Sequence, residues 1–325
     1  MTKDNSGETI VIFGGLGFIG NSLTARLVSN GYNVLSIGKD SIRFNCEEPF
    51  LRQETGNVTI EWLRSAGLPV DFGSVCAFVL LASKISVEES IRNPDLYISY
   101  NMSATRDSLE VAREINGRAP VIFLSTDRVF GDRRGVVTEF SRRSPIDAYG
   151  LSKALSEDLV WFYGRQNKVD TTVVRTVNVY GVGQSSNQLI PRLIRQIHGK
   201  PKALVLRSPV GKRDYIEVND LVDSIVEIIR REGEPRGCLH VPGRPVRIAD
   251  IVSILSSTCA QLGWCNLTVV NAPSKGDVAS PEFGKFQFRQ RAQSPIIFQP
   301  RISFEDGLKR VISMEIKKWS NSLVM

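Results

Sequence analysis

A glycine-spaced turn near the start most constrains what this chain can fold into. Residues 9–14 (TIVIFG) are a short apolar run, and Gly14, Gly17 and Gly20 follow at intervals of three, with Gly15 as a fourth glycine. From Phe18 to Ser29 the pattern is that of an amphipathic helix, closed by a turn at Asn30–Gly31. A buried strand that passes through glycines directly into a helix opens a βαβ unit. Glycine permits backbone angles closed to other residues and lets a ligand approach the main chain. The helix beginning near Phe18 offers free N–H groups and its positive dipole end to a phosphate. The plainer reading is a turn that needs glycine only for tightness. The strand before it and the helix after it favour a dinucleotide pyrophosphate.

The rest of the first half repeats this alternation. Strands are expected at Val34–Ile37, Phe50–Glu54, Val75–Leu81, Pro120–Ser125 and Thr171–Val177. Between them come helices at Val58–Ala66, Val87–Asn116 with an interruption near Pro94, and Ala148–Gln166. The run VCAFVLL is continuously apolar, as in a strand covered on both faces. This order predicts an α/β fold, a doubly wound parallel Rossmann sheet. After Gly181 the pattern changes: helices near 188–198, Leu221–Arg231, 248–260 and 304–315, and short strands near 203–206, 215–218, Leu239–Val241 and 267–271. Residues 272–303 read mostly as loop. We expect a dinucleotide-binding domain over 1–180, to which 213–241 returns, and a smaller C-terminal α/β substrate lobe drawn mainly from 181–325.

Composition excludes several classes. The five cysteines (Cys46, Cys76, Cys238, Cys259 and Cys265) are scattered and form no C-x-x-C, and the two histidines, His198 and His240, have no ligand-spaced neighbour. Neither a disulfide frame nor a metal site is expected. The net charge of +7 is spread along the chain without a basic run interleaved with aromatics, so no nucleic acid is expected as partner. Anionic small substrates fit that charge better. No apolar leader precedes the first strand, and no apolar run approaches the ~18 residues of a membrane span, so a cytoplasmic protein without a membrane span is expected.

The second strand ends at Gly38, followed by Lys39 and Asp40. An acidic residue at position 38 would bind the adenosine ribose and favour NAD. A glycine does not repel a 2′-phosphate, and Lys39 or Arg43 could pair with one. That tilts the reading toward NADP, while Asp40 keeps NAD open. Asn57 is placed either to meet the adenine edge or to cap the helix at Val58.

Residues 149–153 read YGLSK, so Tyr149 and Lys153 share one helix face. A free phenol, with its pKa of ~10, is a poor base. A nearby ammonium and an oxidised nicotinamide both favour the phenolate. Such a tyrosine can take a proton from an alcohol as hydride leaves, or return it to a ketone. The strand upstream ends Ser125–Thr126, a hydroxyl source able to orient the substrate oxygen.

With these motifs in place, the chain resembles the extended short-chain dehydrogenase/reductases, specifically the nucleotide-sugar epimerase/dehydratase family. The likeness extends through LLAS at 80–83, PDLYISYNMSATRDSLEVAR at 94–113, STDRVFG at 125–131, VNVYGVGQ at 177–184, RDYIEVNDLVDSIV at 213–226 and ISFEDGLKRVI at 302–312. The resemblance implies Thr126, Tyr149 and Lys153 as the catalytic set. It implies cofactor contacts at Gly14, Gly17, Phe18, Ile19, Gly20, Gly38, Lys39, Asn57, Leu81, Ala82 and Asn101, joined by Tyr149 and Lys153. Lys84, Thr126, Asp127, Arg128, Asn178 and Arg213 would face a nucleotide-diphosphate sugar, Arg213 clamping its diphosphate. A homodimer is implied through the helices near 95–116 and 148–166.

Two departures shape the functional expectation. Gly38 replaces the usual acid. The dehydratases of this family carry Thr-Asp-Glu where this chain has Thr126-Asp127-Arg128, and a guanidinium cannot serve as the base for dehydration. The resemblance therefore implies an NAD(P)-dependent nucleotide-sugar epimerase, or alternatively an NADPH-dependent reductase of a nucleotide-linked 4-keto-deoxysugar. A non-catalytic NADP-sensing regulator is the remaining reading, and the complete Thr126–Tyr149–Lys153 set argues against it.

Overall fold

The structure is a computed structural model that describes residues 7–38, 41–44, 51–52, 70–133, 135–166, 169–185, 187–199, 203–206, 211–231, 237–271, 286–288 and 298–322. Lys39, Asp40, Asn57 and the expected helix at Val58–Ala66 lie outside these residues.

The principal sheet is built from β1 (Thr9–Phe13), β2 (Asn33–Ile37), β3 (Ser41–Phe44), β4 (Leu51–Arg52), β5 (Val75–Leu80), β6 (Pro120–Thr126), β8 (Asp170–Thr176) and β12 (Cys238–Val241). Their order is β12-β8-β6-β5-β1-β2-β3-β4. From β12 to β2 every pairing is parallel. The chain winds outward in two directions from the β1–β5 junction, which is the switch point where open α/β sheets leave a crevice for ligands.

One expected strand differs. Of the segment Phe50–Glu54 the described residues are Leu51–Arg52, paired antiparallel with β3, which itself runs antiparallel to β2. A parallel return needs a crossover of a dozen or more residues. Only three residues separate Ile37 from Ser41, so β3 must double back.

Side-chain alternation divides the core into two layers. Ile10, Ile12, Ala77, Val79, Ile122 and Leu124 face α1 (Phe18–Ser29) and α6 (Val218–Arg230). Val11, Phe13, Phe78, Leu80, Val121 and Phe123 face the opposite layer, where α3 (Pro94–Asn116) packs on α4 (Ala148–Arg165). The interruption expected near Pro94 separates α2 (Val87–Arg92) from α3. Pro94 opens α3 at a position where its missing N–H costs nothing.

A further core joins α5 (Leu189–Gln196), α7 (Ile248–Gln261) and α8 (Phe304–Ser322) through Ile190, Leu193, Ile251, Leu255, Leu308 and Ile312. Beside it β11 (Lys212–Glu217) lies between β9 (Asn178–Tyr180) and β13 (Arg244–Arg247). β9, β13, β7 (Gly135–Val137) and β15 (Phe286–Phe288) were not expected. Three or four residues carry too little periodicity to be read.

α4 is anchored by charge as well as apolar packing. Glu157 is fully buried, and its carboxylate accepts from Arg175 Nε at 2.9 Å, Arg175 Nη2 at 2.8 Å, Ser125 Oγ at 2.5 Å and Arg143 Nη1 at 3.3 Å. Arg175, 1% exposed, also stacks on Phe130 with 4.9 Å between guanidinium and ring centre. Glu157→Ala would strand that guanidinium in the core. We expect it to lower the free energy of unfolding by about 3–5 kcal/mol, read as a lower urea midpoint with an unchanged slope.

Candidate active site

The crevice at the switch point is shaped by backbone contact. Gly14 has φ +85°, and a Cβ there would lie 2.6 Å from Ala82 N. A Cβ on Gly20 would lie 2.4 Å from the Gly14 carbonyl oxygen, and one on Gly15 2.6 Å from the Ser36 side chain. The amides of Gly14 and Gly15 donate to Ile37 O at 2.7 and 3.1 Å, while those of Leu81 and Ala82 donate to Phe13 O at 2.8 and 3.0 Å. Three strand ends are thus drawn together beneath the turn. Gly17 is the exposed N-cap of α1, with no capping side chain and no acidic residue in the first turn. The side chains of Phe18 and Ile19 pack against the sheet core, so their contribution at this terminus is main-chain N–H. These residues fit a dinucleotide pyrophosphate.

Gly38 lies at the end of β2, where a Cβ would meet Leu16 Cδ1 at 2.8 Å. The glycine has a packing reason, as well as removing a carboxylate. Asn101 is 1% exposed and its amide is committed within the protein. It accepts from Lys84 N at 2.8 Å and donates to Lys84 O at 3.1 Å and Ser152 Oγ at 2.8 Å. Its geometry is that of a clamp between α4 and the loop after β5. The Lys84 ammonium lies 5.5 Å from the centre of the Tyr100 ring and 6.0 Å from that of Tyr97.

Thr126 ends β6 and caps the short 3-10 turn Asp127–Phe130. Its hydroxyl accepts from Arg128 N at 3.3 Å and donates to Asp127 Oδ1 at 3.0 Å. Tyr149 is half-buried in the first turn of α4. Burial pushes its phenol up to about 12; the Thr126 side chain and the Arg128 charge oppose that, while Asp127 and Asp147 reinforce it. Lys153 is 4% exposed, with its ammonium 4.1 Å from the centre of the Phe123 ring. Burial lowers its pKa to about 7 against the pull of the Glu157 carboxylate.

Across the crevice, Asn178 Nδ2 donates to Asp214 O at 3.0 Å. The Arg213 charge favours the ionised forms of Tyr215 and Asp127, both of which burial raises. Asp214 is pushed up to about 6, first by burial and then by the Asp127 charge. Residues of β11 and of the Thr126 turn therefore share one electrostatic environment. The arrangement can orient a hydroxyl or carbonyl oxygen at Thr126 and Tyr149, with the Arg128 charge acting on the phenol.

Three residues that sequence reasoning passed over help to build the site. Asp147 Oδ1 caps α4 through Gly150 N at 2.7 Å, and its Oδ2 pairs with Arg128 Nη1 at 3.0 Å. Gly150 lets α4 approach the turn, since a Cβ there would lie 2.7 Å from Arg128 O. Glu157 ties Ser125 to α4. Asp147, just before the helical run, was readable as an N-cap. The other two depend on contacts that the sequence does not display.

A sequence profile of the NAD dependent epimerase/dehydratase family matches residues 10–239, and the chain belongs to that family. The uncharacterized UDP-glucose epimerase YtcB of Bacillus subtilis is 27% identical over 94% of this chain and 96% of its own. The UDP-glucose 4-epimerase of Thermotoga maritima, solved with UDP-glucose, superposes with a TM-score of 0.75 at 22% identity, covering 95% of this chain and 99% of that one. RMD of Pseudomonas aeruginosa, complexed with NADPH, does so with a TM-score of 0.75 at 18% identity, covering 97% and 99%. No helix among the described residues is long and apolar enough to cross a membrane.

The state of Lys153 has a consequence for stability. Its native pKa of about 7 lies below the ordinary lysine value, so between the two the unfolded chain binds the extra proton and stability rises with pH. The cost of charging Lys153 is fully present below the native value. Lys153→Met is expected to raise Tm near neutral and mildly acidic pH, with the gain shrinking as pH approaches ~10. Thermal unfolding of both proteins across that range checks this.

Proposed function

We propose that this protein is a nucleotide-sugar epimerase that uses Tyr149 as acid and base at a sugar carbon. The observation that carries the reading is the placement of Tyr149 on the first turn of α4, where the Thr126 side chain and the Arg128 charge both favour its phenolate, with Lys153 buried one turn along the same helix. The glycine turn holds the dinucleotide, which supplies hydride-transfer chemistry when bound. Thr126 orients the reacting sugar hydroxyl, and Tyr149 removes its proton or returns it. Lys153, kept chargeable by Glu157, lies beside the same crevice. Arg213 and Asn178 on the facing strands suit a diphosphate and a sugar hydroxyl, in keeping with the UDP-glucose in the Thermotoga maritima structure. The end of β2 carries no acid at Gly38, which favours NADP over NAD. The helices α3 and α4 are proposed to pair in a homodimer, and the cytoplasm is the proposed location.

Epimerisation is preferred to dehydration because position 128 holds a guanidinium engaged with Asp147. It is preferred to net reduction because UDP-sugar epimerases recur among the relatives.

The test pairs nucleotide release with turnover. Denatured protein should yield NAD or NADP by mass spectrometry. Incubation with UDP-glucose or UDP-glucuronate should give the epimer by NMR, with no net change in reduced nicotinamide. Tyr149→Phe should lower the rate by about 10²-fold or more. Stoichiometric oxidation of added NADPH against a keto-sugar would instead establish the reductase, and full activity of Tyr149→Phe would sink the acid/base assignment.

A further inference from the structure

We propose that Arg128 is a positioning residue: paired with Asp147, it fixes the Thr126 turn against the start of α4 and supplies the cation that faces the Tyr149 phenol. The proposal rests on the reading that Tyr149 is the acid/base group. The Arg128–Asp147 contact is 3.0 Å long, with side chains 11% and 5% exposed, so solvent screens it weakly. Asp147 spends its other oxygen on the Gly150 amide at 2.7 Å, and so ties Arg128 directly to the helix turn that contains Tyr149. Gly150 removes the Cβ that would hold α4 away from the Arg128 carbonyl. The junction is polar on one side and in close backbone contact on the other.

The charged groups around the phenol come from three places. The Thr126 turn brings Asp127 and Arg128. α4 brings Asp147 at its start and Lys153 and Glu157 further along. β11 brings Arg213 and Asp214, which act on Asp127. Lys153 lies over the Phe123 ring and is coupled to Glu157. Arg128 is the cation that opposes the burial and the two aspartates raising the phenol. A nearby opposite charge favours the charged form of a titrating group.

The test reads Tyr149 itself and needs no sugar. Tyrosinate absorbance of each protein, minus that of the same protein carrying Tyr149→Phe, is titrated with and without saturating NADP. Arg128→Gln should move the midpoint up by about one unit or more, roughly tenfold less phenolate at a given pH. Arg128→Lys should stay near wild type. Asp147→Asn keeps an oxygen for the Gly150 amide but removes a negative charge, and should move the midpoint down. A midpoint unmoved in Arg128→Gln, or moved the same way in both Arg128→Gln and Asp147→Asn, overturns the proposal. If Arg128→Gln does not fold, Arg128→Met, which keeps the apolar stem and removes the charge, is read in its place, and an unmoved midpoint there overturns the proposal. Failure of sugar turnover would overturn the epimerase reading and leave this titration unaffected.

Discussion

The chemical side of the crevice hangs on one buried carboxylate. Glu157 has no access to water, so its charge is tolerable only because four donors surround it. Those donors come from Ser125 at the end of β6, Arg175 in β8, and Arg143 in the segment leading to α4. One group therefore fixes the strand end that carries Thr126 relative to the helix that carries Tyr149 and Lys153. It also sits one helical turn from Lys153, where its charge opposes the loss of the ammonium's proton. The same charge that makes the junction costly to disturb also partly offsets the effect of burial on Lys153.

The nucleotide side is fixed by steric means. At Gly14, Gly15 and Gly20 the space for a side chain is taken by Ala82, Ser36 and the turn's own backbone. The amides of the turn are drawn onto β2, and those following β5 onto β1. At Gly17 the N-terminus of α1 has no capping side chain. Polar bonds hold the reacting end, and close backbone contact holds the phosphate end. The β1–β5 switch point brings both to the same edge of the sheet.

Much of this was legible in the sequence because it was written in long periods. The strands at 9–13, 75–80 and 120–126, the helix at 148–165 and the break at Pro94 follow from runs of apolar residues and from Pro at a helix start. The antiparallel edge at Ser41–Phe44 was missed because a short connection, not a residue pattern, dictates it. Asn101 was expected at the cofactor, yet its amide is spent on Lys84 and Ser152. A motif position conveys that a residue is needed near a site; it does not convey which atom meets which. The approach of Gly150 to Arg128 lies between residues far apart in the chain and leaves no local mark.

Position 128 shows how a charge reversal can be absorbed without rebuilding the fold. The turn after Thr126 depends on the Thr126 hydroxyl and the backbone, so it does not require a particular side chain at 128. The side chain's partner is Asp147, a residue the helix already needs as its cap. An acid at 128 with the rest unchanged would bring a third carboxylate to Asp127 and Asp147, and like charges held close in a buried site resist joint ionisation. Arg128 and Asp147 therefore form a matched pair, and the present chemistry of the site cannot be converted to one needing a base at 128 by that substitution alone. The constraint runs through the helix cap, where Asp147 holds the Gly150 amide with one oxygen and Arg128 with the other, and so ties position 128 to the first turn containing Tyr149.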